Sequence, residues 1–148
     1  MSNAVEIPFE TTPLVRDTCL CLYVQRAARA LARRFDDALR PFGLTNGQFS
    51  LMMSLNRPAP ASMGSVTALL AMDQTTLTAA LKPLERRGWV NIVPNPQDRR
   101  ARLLSLTPSG KAALAAAIPI WKATHAALEE RLPDGNGDRL RSDLANLL

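Results

Sequence analysis

Aromatic, cysteine and histidine side chains are scarce in this chain of 148 residues, and their scarcity limits its chemistry. Only 5% of the residues are aromatic, two are cysteine and one is histidine. The two cysteines, Cys19 and Cys21, are too few for a disulfide framework. The single histidine, His125, leaves acid–base catalysis without its usual residue and lies far in sequence from both cysteines. We therefore expect no enzyme, no metal site and no cofactor.

The sequence also lacks glycine-rich loops and long apolar runs. Its seven glycines are scattered, and none has the spacing of a phosphate-binding loop. The apolar runs are too short to span a bilayer, and the N-terminus has no signal-peptide pattern. With 47% hydrophobic and 21% charged residues, the composition is typical of a globular protein. We expect one domain over residues 1–148, located in the cytoplasm and not bound to a membrane.

The positive charge of the chain is concentrated in one segment. The formal net charge is +5, from 18 basic and 13 acidic residues. Residues 82–102 contain six basic and two acidic residues, so four of the five net charges lie within this segment. A basic segment in an otherwise neutral chain is typical of a protein that binds a polyanion. A solvated surface run is the alternative.

Helical periodicity dominates the first quarter of the chain. After an irregular start broken by Pro8 and Pro13, apolar residues recur at three- and four-residue steps from about Leu14 to Leu39. This pattern predicts one long helix that Pro41 and Gly43 end. On such a helix, two residues spaced like the cysteines point about 200° apart and cannot pair.

Three further helices are predicted in the middle of the chain from their capping residues. Thr45 and Gln48 have the spacing of a capping box. Ser62 is suited to cap the next helix, and Asp73 the one after, which Gly88 ends. Because the last two helices are short and joined by a tight turn, they predict a helix-turn-helix.

A β-hairpin is predicted directly after the helix-turn-helix. Residues 89–93 and 101–106 read as strands, and residues 94–100 read as a turn-rich basic loop. This order of elements is that of a winged helix. Two helices, from about 108 to 132 and from 138 to 148, complete the chain.

Four motifs together resemble the MarR family of bacterial transcription regulators. They are MDQTTLT (72–78), LERRGWV (84–90), DRRA (98–101) and LSLTPSG (104–110). The resemblance implies a mainly α fold with a small β-hairpin wing, in which a winged helix-turn-helix core is joined to N- and C-terminal dimerisation helices. It assigns dimerisation to about residues 14–40 and 108–148, and DNA binding to about residues 45–107. It further implies a homodimer that binds a pseudo-palindromic double-stranded DNA operator, as a repressor released by a small-molecule ligand.

The resemblance makes the helix from Asp73 to Arg87 the recognition helix. The residues expected to contact DNA are polar or basic side chains of this helix and of the wing: Gln74, Thr75, Thr76, Thr78, Lys82, Arg86, Arg99, Arg100 and Arg102. Glutamine can bind adenine through two hydrogen bonds, and a threonine methyl can pack on a thymine methyl. The alternative is that the polar side chains of the helix only cap and solvate it.

The wing carries the second part of the expected interface. The resemblance places Arg100 in the minor groove, where narrow A/T-rich DNA attracts guanidinium groups. Asp98 is expected to orient a neighbouring arginine, and Arg86 is expected either to contact phosphate or to pair with Asp98. Pro83 departs from a regular helix because it removes a backbone hydrogen bond near Ala79, so the helix is expected to bend or distort there.

Redox sensing by the cysteines is an alternative form of regulation. Hydroperoxide sensors of the family carry a reactive cysteine early in the first helix, held by tyrosines from both subunits. Phe35 and Asn46 stand at the positions of those tyrosines here. Cys19 and Cys21 are therefore either a thiol-based peroxide sensor or inert core residues.

Binding of a small aromatic ligand is the other form of regulation that the resemblance implies. Family members bind such ligands in a cleft between the dimerisation helices and the DNA-binding lobe. The candidates here are the aromatic and methionine residues Phe49, Met52, Met53, Trp121 and His125. Core packing is the alternative interpretation of each. A winged-helix module for protein–protein interaction, without DNA binding, is the competing function.

Overall fold

The computed structural model of the chain describes residues 4–148 as helices with one small antiparallel sheet. The helices are α1 (Thr11–Thr18), α2 (Leu20–Leu39), α3 (Asn46–Ser54), α4 (Met63–Leu70), α5 (Gln74–Arg86), α6 (Pro108–Glu129) and α7 (Gly137–Ala145). The strands are β1 (Ala61–Ser62), β2 (Val90–Asn95) and β3 (Asp98–Leu106). This is the mainly α fold with a β-hairpin wing that the sequence predicts. Within residues 4–148, no helix is long and apolar enough to cross a membrane.

The contacts divide the chain into two compact units, one ending at Arg34 and the other running from Phe35 to Leu148. The second unit contains the helix-turn-helix, the sheet, α6 and α7. The grouping of residues 1–148 into a single domain, with dimerisation and DNA-binding parts, stays a prediction.

The N-terminal unit corrects two predictions. Pro13 does not end a helix but lies in the first turn of α1. Backbone N–H groups of the first turn have no acceptor within the helix, so the N–H that proline lacks is not needed there. The single helix predicted from Leu14 to Leu39 is two helices, because Cys19 has extended backbone angles of φ −69° and ψ 108°. Cys21 lies in α2, so the two cysteines do not share one helix and the orientation expected for them does not apply.

The predicted helix caps are confirmed in the second unit. Thr45 and Gln48 form the capping box of α3. Ser62 accepts the backbone N–H of Ser65 at the start of α4. Asp73 caps α5, as described below. Because a cap satisfies backbone donors that the helix itself cannot, these residues set where the helices begin.

A carboxylate of α2 fixes the turn that leads into α3. Asp36 Oδ1 accepts the backbone N–H of Asn46 at 2.7 Å and its side-chain amide at 2.9 Å. These two hydrogen bonds hold the pKa of Asp36 below its usual value, because they stabilise the ionised form.

The sheet has the order β1–β3–β2, and its hairpin is longer than predicted. Pro94 pairs with Arg102, but the next residue, Asn95, pairs with Asp98, so that β3 bulges over the three residues 99–101. The loop predicted over residues 94–100 is therefore only the turn at 96–97. Strand β1 was not predicted, since two residues are too few to show a pattern.

The hydrophobic core of the second unit lies between α3, α4, α5, the sheet and α6. Leu77, Leu81 and Leu84 of α5 are at most 2% exposed, so they form the inner face of this helix. Phe49 and Met52 of α3 are in the same core. Burial of this face turns the polar face of α5 outward.

Candidate nucleic-acid interface

Helix α5 begins at a well-defined cap. Asp73 Oδ1 accepts the backbone N–H of Thr76 at 2.7 Å. This bond lowers the pKa of Asp73, because it stabilises the carboxylate. The helix continues through Pro83 to Arg86, and the bend or distortion expected at this proline stays a prediction. The polar face of α5 therefore lies on one continuous helix of about three turns.

The outer face of α5 forms a shallow hollow of about 440 Å³. Its lining side chains are Gln74, Thr75, Thr78, Ala79 and Lys82. The Oγ1 hydroxyl of Thr78 donates to the backbone carbonyl oxygen of Gln74 at 2.9 Å, so this hydroxyl is hydrogen-bonded within the helix. The hollow thus brings together four residues that are predicted to contact DNA, Gln74, Thr75, Thr78 and Lys82, while Thr76 is exposed but does not line it.

Helix α5 and strand β3 also carry exposed basic side chains. They are the exposed residues Lys82, Arg86, Arg99, Arg100 and Arg102. None of them forms an ion pair within the part of the chain that the structure describes. The bulge over residues 99–101 exposes two of these arginines at the end of the hairpin. Uncompensated positive charge of this kind attracts a polyanion.

The ion pair considered between Arg86 and Asp98 is not formed. Instead, Asp98 Oδ1 accepts the backbone N–H of Arg100 at 3.1 Å. The carboxylate therefore fixes the backbone of the wing tip rather than a guanidinium group, and the arginine side chains beside it keep their charge uncompensated.

One arginine of the basic segment has a partner that the sequence did not indicate. Arg87 Nη1 donates to the carbonyl oxygen of Gly43 at 2.6 Å, and its guanidinium carbon lies 3.6 Å from the centre of the Trp89 ring. Trp89, two residues further on, was the only local signal for such a contact, since Gly43 is 44 residues away.

The candidate ligand residues lie in and beside the core. Phe49 is 5% exposed and Met52 is fully buried, so core packing describes both in this structure. Trp121 stacks between Phe49 and His125, with ring centres 5.8 Å and 4.9 Å apart. Met53 is 39% exposed. A ligand-binding role for these five residues stays a prediction.

Both cysteines are free thiols. Cys19 Sγ accepts the backbone N–H of Leu22 at 3.5 Å, and Cys21 Sγ accepts the side-chain amide of Gln25 at 3.2 Å. Cys21 is exposed and Cys19 is half-buried. Over residues 4–148, no group of three histidine, cysteine or acidic side chains is placed to hold a metal ion.

Known proteins resemble this chain in sequence and in structure. The MarR family model matches residues 44–101. The transcriptional activatory protein BadR of Rhodopseudomonas palustris is 34% identical over 89 residues, 58% of this chain and 51% of BadR. The multiple antibiotic resistance protein MarR of Escherichia coli is 34% identical over 80 residues, 54% of this chain and 56% of MarR. The chain thus spans about half the length of these curated relatives.

A solved structure extends the likeness to most of the chain. The transcriptional regulator MosR of M. tuberculosis, in complex with DNA, is 37% identical with a TM-score of 0.80. The match covers 88% of this chain and 93% of the MosR chain. The likeness therefore includes the helices before and after the region that the family model matches.

Proposed function

Because the chain belongs to the MarR family, we propose that it is a cytoplasmic, homodimeric transcription regulator. It binds a pseudo-palindromic double-stranded DNA operator sequence-specifically, as a repressor that a small-molecule ligand releases. The observation that carries this proposal is the combination of a polar hollow on α5 with exposed basic side chains on α5 and the wing that form no ion pair with any of residues 4–148. The complex of its relative MosR with DNA supports it.

The two surfaces suit two different tasks in DNA recognition. The major groove of B-DNA admits an α-helix, and base edges there are distinguished by hydrogen bonds and by the thymine methyl group. Gln74 supplies an amide for such contacts, and Thr75 and Thr78 supply small side chains beside it. The arginines of the wing supply charge, which adds affinity for any DNA sequence.

The proposed function is tested by gel shift of fragmented genomic DNA at several salt concentrations. We expect a subset of fragments to shift, and their affinity to fall steeply as salt rises because bound counterions are released. A protein–protein interaction module would shift no fragment at any salt concentration. Equal binding of all fragments would contradict sequence-specific recognition.

Apolar side chains left exposed on both units predict a homodimer. In the N-terminal unit, Leu14 is 60% and Leu20 68% exposed. In the second unit, Leu140 is 43% and Leu147 59% exposed. Large apolar patches rarely stay in contact with water, and a second copy of the chain would cover them. At micromolar concentration, light scattering should give twice the 16.1 kDa mass of the chain. A mass near 16 kDa throughout that range would contradict the dimer.

Thiol-based sensing is a second candidate for the regulation. The observation that favours it is the break at Cys19, which frees the two cysteines from the opposed orientation of one helix. A hydroperoxide would oxidise the two thiols to a disulfide and be reduced to an alcohol and water, which balances two electrons.

The cysteines should not be needed for DNA binding in the reduced state. The variant with Cys19→Ser and Cys21→Ser should bind a selected operator with wild-type affinity in the presence of a reductant, because neither residue belongs to the proposed interface. Under a hydroperoxide, a thiol sensor predicts that wild type releases the operator while the double variant retains it. Equal release of both proteins would eliminate the thiol mechanism.

A further inference from the structure

Arg87 joins three segments that are distant in sequence. It follows the last residue of α5, and its Nη1 donates to the carbonyl oxygen of Gly43 at 2.6 Å. The same guanidinium group lies over the ring of Trp89, the residue before β2, at 3.6 Å. Arg87 therefore ties the point where the proposed recognition helix passes into the wing to the turn before α3.

The geometry at Gly43 is specific for this contact. Gly43 has a φ of +71°, in the left-handed region where glycine is unstrained. A Cβ atom at this position would lie 2.6 Å from Nη2 of Arg87. The turn thus has the two properties that let the guanidinium group reach its backbone, an unusual backbone conformation and no side chain.

The residues between α5 and β2 are also held by Thr107. Thr107 donates its Oγ1 hydroxyl to the carbonyl oxygen of Gly88 at 2.6 Å and its backbone N–H to the carbonyl oxygen of Trp89 at 3.0 Å. The residues between α5 and β2 are therefore held between Gly43 on one side and Thr107 on the other. Arg87 supplies a side-chain hydrogen bond to the first attachment.

We propose that Arg87 is a positioning residue for sequence reading, and not one of the phosphate contacts of the basic segment. It sets the direction of α5 and the starting point of the wing, so that both meet DNA in one fixed geometry. This inference rests on the proposed function. Base contacts need that geometry, whereas the attraction of free arginines to phosphates does not depend on it closely.

The test compares Arg87→Ala with Arg86→Ala, its neighbour of equal charge, on a selected operator and on scrambled DNA at several salt concentrations. For Arg87→Ala we expect operator affinity to fall about tenfold, the scale of one lost base contact. Its affinity for scrambled DNA and its salt slope should stay at the wild-type values. Arg86→Ala should weaken binding to both DNAs and lower the salt slope by about 1.8, because the homodimer loses two charges.

Two results would assign Arg87 a different role. If Arg87→Ala lowers the salt slope of the homodimer by about 1.8, Arg87 is a phosphate contact. If it weakens binding to both DNAs by the same factor, the residue only maintains the folded fraction. Arg87→Lys provides a second test in case Arg87→Ala does not fold. Lysine keeps a cation near Trp89 and one hydrogen-bond donor for Gly43. It should recover part of the ratio between operator and scrambled DNA affinity.

Gly43→Ala tests the hydrogen bond between Arg87 and Gly43 from its other partner. Its Cβ should displace the guanidinium group and lower the ratio of the two affinities, as Arg87→Ala does. In a chain that already carries Arg87→Ala, the added Gly43→Ala should lower that ratio little further, because the contact is already lost. Additive effects would contradict the coupling.

If wild type binds no DNA, the proposed function fails, whereas unchanged affinities of Arg87→Ala on both DNAs overturn only the role of Arg87.

Discussion

Arg100→Ala is expected to weaken operator binding by about 1–3 kcal/mol, with the largest loss on A/T-rich flanking sequences. The side chain is exposed on the β3 bulge, and its backbone N–H is held by Asp98. A guanidinium group presented in this way is favoured by the negative potential of a narrow minor groove. Loss of one positive charge per subunit, two per homodimer, should also lower the slope of log affinity against log salt by about 1.8.

Gln74→Ala is the matched contrast, because Gln74 is uncharged and lies in the hollow of α5. It should relax the preference at one base pair of each half-site and leave the salt slope unchanged. Both variants are measured on a selected operator and on scrambled DNA at several salt concentrations. If Arg100→Ala bound both DNAs like wild type with the same slope, the wing arginine would have no role in binding.

Gly110→Ala is expected to lower the free energy of unfolding by about 2–3 kcal/mol. A Cβ at this position would overlap the carbonyl oxygen of Trp89, which belongs to the backbone and cannot rotate away as a side chain could. That oxygen accepts the N–H of Thr107, so that it cannot move away without loss of a hydrogen bond. The melting temperature should fall by roughly 5–10 °C in a thermal scan.

Gly64→Ala is the control for this prediction. Gly64 lies in the first turn of α4, and a Cβ there meets no atom within 4 Å. Alanine should leave stability unchanged or raise it by up to about 1 kcal/mol, because it restricts the unfolded chain. If Gly110→Ala were no more harmful than Gly64→Ala, the close packing of α6 on the start of β2 would be wrong.

The elements governed by local rules could be predicted from the sequence. The caps at Thr45, Ser62 and Asp73 lie at the helix starts that the sequence indicates, because a cap depends on residues only three positions away. The polar outer face of α5 could be predicted in the same way, since Leu77, Leu81 and Leu84 recur with helical period.

The features that the sequence did not reveal depend on distant partners or lack a local signal. The length of the wing depends on the pairing of Pro94 with Arg102 and on the bulge that follows, which composition does not encode. The break at Cys19 has no glycine or proline beside it. The contact of Arg87 with Gly43 joins residues 44 positions apart, so that the charge count of residues 82–102 includes Arg87 without indicating its partner.

Footprinting of the wild-type protein on its selected operator tests the central claim most directly. A homodimer that reads DNA with two copies of α5 should protect two half-sites related by a two-fold axis. Their centres should lie about 10–10.5 base pairs apart or a multiple of that spacing. Additional protection of the minor groove should flank each half-site, where the wings lie. A single asymmetric site, or protection that does not depend on sequence, would contradict the account.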